Sequence, residues 1–163
     1  MGGEGGQDAP IRAIVDTSVL VPPSLRADLQ RAAMEGGFTA IWSPWIVAEL
    51  TRVLVWRWIK DRTGGDLSAA NERAASQAAK RMMTLLLGAF EVVNPRPPYP
   101  RAWEALADVD DYPIWAAAAA GRARYVISDN TLDYPPRQSD GRYVYQGVEY
   151  ISGRDFLALL LAE

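Results

Sequence analysis

With no cysteine and no histidine among its 163 residues, the chain has no disulfides, no thiolate or imidazole metal sites and no histidine base, which leaves any hydrolytic chemistry to carboxylates. Its 49% hydrophobic and 23% charged composition suits one soluble domain with its own core. A net charge of −3 is wrong for a general nucleic-acid coat protein, and no apolar run approaches the roughly 18 residues of a membrane span.

Residues 1–10 are glycine-rich, with neither a basic nor an apolar signal-peptide region, and are expected to form a disordered tail on a domain spanning 11–163. A cytoplasmic location is the corresponding expectation. Ile11 to Val15 is apolar and rich in β-branched residues, which predicts a buried strand. A helix follows, with Pro22 and Pro23 in its first turn and Gly36 and Gly37 ending it. Thr39 to Trp42 reads as a strand. Ser43 then caps, and Pro44 opens, a helix to about Arg62, stopped by Gly64 and Gly65. An alanine-dense helix is predicted from near Ser68 to Leu87, and a strand from Phe90 to Val93. The proline-rich stretch 94–100 is a loop, followed by a short turn around Trp103. Pro113 opens a helix to about Gly121, and Tyr125 to Ser128 is a further strand. Loop follows over 129–141. Tyr143 to Ile151 forms either a hairpin or one strand after an irregular ribbon, and Ser152 caps a last helix through Leu161. Alternating strands and helices imply a parallel sheet covered on both faces, whose ligand sites lie at the carboxyl ends of its strands.

Acidic residues gather at those ends. Asp16 ends the first apolar run, where Asp-Thr-Ser is also ordinary capping chemistry. Glu49 is the one acid from Ser43 through Lys60; on so apolar a helix it needs a cation, a donor or a proton, and Arg52 one turn on offers a structural salt bridge. Asp108, Asp110 and Asp111 precede the Pro113 helix, where one carboxylate serves as a cap but three repel one another without a counter-cation. Asp129, Asn130 and Asp133 follow the Tyr125 strand. From Ile46 to Leu87 seven bases face four acids, whereas Arg101 to Asp133 carries six acids and three bases. Such scatter is commonly just solvated helix surface, although it also allows a basic face beside an acidic pocket. A metal at such a site would be a hard, oxygen-liganded ion such as Mg²⁺ or Mn²⁺.

Ile14-Val-Asp-Thr-Ser-Val-Leu20, Val47-Ala-Glu-Leu50, Asp110-Asp-Tyr-Pro-Ile-Trp-Ala-Ala117 and Val126-Ile-Ser-Asp-Asn-Thr-Leu-Asp-Tyr134 together resemble the PIN-domain family of metal-dependent nucleases, which includes many VapC-type toxins. The segments stand in the family's order and cover nearly the whole chain. The resemblance implies a three-layer α/β fold with a central parallel sheet between helices. It also implies a Mg²⁺- or Mn²⁺-dependent endoribonuclease, as the toxin of a toxin–antitoxin pair in one version. Asp16, Glu49 and Asp111 would be the catalytic and metal-binding acids, with Ser18 and Ser128 positioning water or the acids. The fourth acid falls on Asn130 by the family's pattern, with Asp129 and Asp133 as neighbouring substitutes. Arg52, Arg57 and Lys60 are candidate contacts to the RNA backbone.

Two rivals stand beside this reading. A haloacid-dehalogenase-like phosphatase also begins with an aspartate after a strand, but needs a second aspartate where this chain has Ser18. A non-catalytic PIN-like scaffold would use Trp45, Trp56 and Trp58 as a dimer or antitoxin surface, although such a stripe is more often core.

Overall fold

The computed structural model describes residues 9–95 and 112–162. Most of the expected N-terminal tail, part of the proline-rich loop, the turn at Trp103, and Asp108, Asp110 and Asp111 lie outside the described residues.

The chain runs β1 (Arg12–Val15), α1 (Thr17–Leu20), α2 (Pro23–Met34), β2 (Thr39–Trp42), α3 (Pro44–Thr63), α4 (Ala69–Leu87), β3 (Phe90–Val92), α5 (Tyr112–Gly121), β4 (Tyr125–Ile127), β5 (Tyr143–Tyr145), β6 (Val148–Ile151) and α6 (Gly153–Ala162). The predicted boundaries hold to within a few residues. The extra elements are α1, a single turn directly after Asp16, and a 3-10 turn at Thr131–Asp133 inside the expected loop, both too short for helical periodicity to announce. The punctuation residues act as expected. Ser43 Oγ accepts from the Ile46 amide at 3.3 Å, Ser68 Oγ from Asn71 and Ser152 Oγ from Asp155, while Gly64 ends α3 at φ 67°.

The strands form a sheet in the order β3-β2-β1-β4-β6-β5, parallel throughout except for β5. Of the two readings of residues 143–151, the hairpin is the one adopted. Gln146 and Gly147 both take positive φ, 50° and 78°, as a two-residue turn matched to strand twist requires. Ala13, Ile14 and Val15 are all fully buried although successive side chains of a strand point to opposite faces, so both faces of β1 are covered. The α/β architecture with a mostly parallel central sheet is therefore as expected.

Core packing explains two compositional features. The alanine run of α5 brings that helix close to the sheet, where it packs on β1, β2 and β4; at Gly121 an added Cβ would sit 3.0 Å from Ile41 Cδ1 and Cγ2. Trp42 is fully buried edge-on to Phe90 and sends its indole N–H to the Val15 carbonyl at 3.1 Å. That bond satisfies the indole in the core and fixes the end of β1, the residue before Asp16. No helix among the described residues is long and apolar enough to cross a membrane.

Candidate active site

The centre of the sheet is where the chain's connections part: β1 leads to β2 on one side and has β4 on the other. Crevices at such points face the carboxyl ends of the strands. The register pairs Val15 with Ile127, which sets the next residues of the two strands, Asp16 and Ser128, side by side. The Asp16 amide donates to the Ile127 carbonyl at 3.0 Å and completes that placement.

Asp16 is 8% exposed, and its carboxylate makes no capping bond to α1. The capping alternative raised by Asp-Thr-Ser is thus not the one adopted. Instead Asp16 Oδ2 accepts from Ser18 Oγ at 2.9 Å and from Ser128 Oγ at 3.0 Å. Each hydroxyl has one hydrogen, so with both directed at Asp16 the two oxygens lie 3.2 Å apart and use their lone pairs elsewhere. Ser18 Oγ accepts from the Asp129 amide at 2.9 Å and Ser128 Oγ from the Asn130 amide at 3.2 Å. The two serines therefore lock the loop after β4 onto Asp16. Tyr134 adds a hydrogen bond from its hydroxyl to the Ser128 carbonyl. Burial, with the charge of Asp129 next, pushes the Tyr134 hydroxyl up to about 12, so it remains a donor.

Glu49 comes to the same place from α3. Its Oε2 accepts from Thr17 Oγ1 at 3.1 Å, and among the described residues no lysine or arginine forms an ion pair with it or with Asp16. The structural salt bridge to Arg52 is not formed; Arg52 acts on Glu49 only as a more distant charge. Burial, and then the negative charge of Asp16, raise the Glu49 carboxyl above its ordinary value, against the smaller opposing effects of Thr17 and Arg52.

Asp16 and Glu49 share an open cleft of about 490 Å³ with Thr17, Ser18, Asn130 and Asp133, walled by Val21, Trp45, Val53 and Ile114. Asn130 Nδ2 donates to Asp133 Oδ2 at 2.7 Å. Asp129, by contrast, turns Oδ1 to the Gly153 amide at the start of α6, 2.9 Å away, and does not line the cleft. Arg52, Arg57 and Lys60 are exposed along α3. Asp111, the third expected acid, lies outside the described residues. Among the described residues no three acidic side chains cluster tightly enough to hold a metal ion. The donors that are present, carboxylates, hydroxyls and an amide, all offer hard oxygen ligands of the kind Mg²⁺ and Mn²⁺ take, and a cation would favour ionisation of Glu49 against the burial, and then the Asp16 charge, that raise it.

Thr17, Tyr134 and Trp45 were not singled out for the site by the sequence. Thr17 sits inside a quoted motif, yet nothing in its spacing says that it reaches a residue on α3. Tyr134 closes the last of the four matching segments, yet nothing in its spacing says that its hydroxyl turns back to the Ser128 carbonyl. Trp45 lies one helical turn before Glu49, the spacing that puts both on one face.

A PIN-domain family model matches residues 12–132. No curated protein matches the chain. Among solved structures, the crystal structure of PAE2754 from Pyrobaculum aerophilum is similar in fold, with a TM-score of 0.54 at 16% identity over 94% of this chain and 91% of that one.

Proposed function

This chain belongs to the PIN-domain family, whose members are generally nucleases, and from that premise we propose that it is a divalent-metal-dependent endoribonuclease. The observation that carries the reading is the convergence of Asp16 and Glu49 on one open cleft, with Glu49 raised by burial and by the Asp16 charge. A carboxyl held in that state, partly buried and beside a second carboxylate, is costly to keep for structure alone and useful as a ligand.

The parts divide as follows. Asp16 and Glu49 offer carboxylate oxygens, and Asp111 would complete the set from the segment before α5. Ser18 and Ser128 occupy Asp16 Oδ2, which orients the other oxygen as the ligand; Thr17 does the same for Glu49 through Oε2. The fourth position belongs to Asn130 and Asp133, joined by their hydrogen bond, rather than to Asp129, whose carboxylate is engaged at α6. When bound, Mg²⁺ or Mn²⁺ would lower the pKa of a water and offset charge on the attacking and leaving oxygens. Arg52, Arg57 and Lys60 would hold the RNA backbone. Action in the cytoplasm as the toxin of a toxin–antitoxin pair is the narrower form of this proposal.

The test is the thermal midpoint with and without millimolar Mn²⁺, for the wild type and Asp16→Asn. A gain in the wild type that the substitution abolishes supports the metal site. No gain, or equal gains, favours a second reading, the non-catalytic scaffold binding a protein partner or a second copy. One observation favours that alternative: Trp45 and Trp56 are 40% and 51% exposed.

A further inference from the structure

Two large aromatic rings at the surface of one helix need an explanation, and their neighbours supply it. On α3 the residues Trp45, Glu49, Arg52, Val53, Trp56 and Lys60 follow one another at helical spacing and fall within about 100° of arc. Trp45, Arg52, Trp56 and Lys60 are exposed, and Glu49 and Val53 are partly so. The stripe begins in the acidic cleft, which Trp45, Glu49 and Val53 line. It leaves that cleft along the helix and alternates aromatic with cationic side chains. At 1.5 Å of rise per residue the two rings stand about 16 Å apart along the axis, a span of several nucleotides.

We propose that this face of α3 is a track for single-stranded RNA, with one base stacked on Trp45 beside the acids, a second stacked on Trp56, and Arg52 and Lys60 contacting the phosphates between and beyond them. The proposal rests on the nuclease reading above and extends it by naming the side chains of α3 that would hold the strand as it leaves the cleft. Stacking on aromatic side chains requires unpaired bases, because the faces of paired bases are covered by their neighbours in the helix. The interleaved charges argue for RNA over a protein partner, since the centre of a protein interface is depleted of lysine whereas a phosphate chain needs cations at intervals. The chain's net charge of −3 makes such a local track more necessary, because no general basic surface would hold the substrate.

The experiment titrates the full-length protein, in Mg²⁺, into a fluorescein-labelled oligouridine of about 12 nucleotides and follows anisotropy, with gels confirming an intact strand. Trp56→Ala is the informative variant because its ring lies outside the cleft. It is expected to weaken binding about tenfold, with Trp56→Phe restoring most of it. A uridine dinucleotide, too short to reach Trp56, should bind both proteins alike, and the equivalent RNA duplex should bind poorly. Arg52→Ala with Lys60→Ala should reduce the salt dependence by about 0.7 per lost contact. Unchanged oligouridine affinity in Trp56→Ala overturns the track, and leaves the nuclease reading standing if the Mn²⁺ stabilisation persists. Equal or tighter binding of duplex also overturns it. If the wild type binds no RNA but self-associates in sedimentation, and Trp56→Ala makes it monomeric, the stripe is a protein interface and the track is overturned, while the nuclease reading is decided by the Mn²⁺ stabilisation.

Discussion

Thr17 Oγ1 donates to Glu49 Oε2 across 3.1 Å, joining the single turn after β1 to the long helix α3. The bond does two things. It supplies the one hydrogen-bond donor that the partly buried Glu49 is given among the described residues, and it fixes the distance between the element carrying Asp16 and the element carrying Glu49. A hydrogen bond to a charged group contributes about 1.5–3 kcal/mol, so a threonine outside the expected acid set governs how that set is held.

Thr17→Val keeps the shape and removes the donor. Apparent Mn²⁺ affinity, read from the dependence of thermal midpoint on metal concentration, should fall by about 10–100-fold, the usual effect of losing a group that orients a metal ligand. Thr17→Ser should recover most of it. An unchanged affinity in the valine variant would show that Glu49 is held by other contacts.

Asp16→Asn keeps acceptor capacity for Ser18 and Ser128 while deleting the charge that, after burial, raises Glu49. The metal-free protein should therefore be as stable as the wild type or more so, while the Mn²⁺ gain and RNA cleavage disappear. Loss of the fold in circular dichroism would contradict the view that the two serines, rather than the charge, organise this end of the sheet.

The pH dependence has a definite sign. Glu49 is raised above 4.5 in the folded protein, so the native state favours its protonated form. That contribution is complete below the unfolded value and is lost as pH rises through the raised folded value. Without metal, wild-type stability relative to Glu49→Gln should thus decline as pH climbs above 4.5. The Mn²⁺-induced shift should grow over the same interval, because binding requires the ionised carboxylate. Denaturant melts between about pH 4 and pH 8 would reveal both trends, and parallel curves for the two proteins would remove Glu49 as the titrating group.

Gly121→Ala separates packing from helix propensity. In an exposed helix the change would stabilise by about 1 kcal/mol. Here the new methyl meets Ile41 Cδ1 and Cγ2 at 3.0 Å, and Ile41 is fully buried on a central strand with a stiff branched side chain. A loss of about 1–3 kcal/mol in urea unfolding is expected. A gain would mean that α5 can lift from the sheet at no cost.

Replacing Arg52, Arg57 and Lys60 together by alanine should weaken RNA binding and flatten its salt dependence while leaving the Mn²⁺ shift intact. All three are exposed, so folding should not suffer. Unchanged affinity would exclude this helix as the backbone contact.

Much of this protein is local, and what is local can be read from the chain. The short apolar runs at residues 11–15, 39–42 and 125–128 read as strands from their length and β-branched content, and Ser43, Pro44, Gly64, Ser68 and Ser152 mark helix ends through their own local chemistry. The absence of histidine and cysteine had already narrowed the chemistry to carboxylates. The pairing of those acids with their partners was not local. Whether Asp16 capped α1 or faced Ser128 depended on the register of β1 against β4, more than a hundred residues apart in sequence. Whether Glu49 met Arg52 or Thr17 depended on how α3 leans on α1. The family's pattern points to Asn130 but nothing local decides between it and its neighbours Asp129 and Asp133, whereas in the fold the start of α6 takes Asp129 and leaves the other two in the cleft. Hydrophobic pattern and capping act over one or two turns and so are written in the sequence; the direction of a carboxylate is set by whichever donor the folded chain brings within 3 Å, and only the tertiary structure decides that.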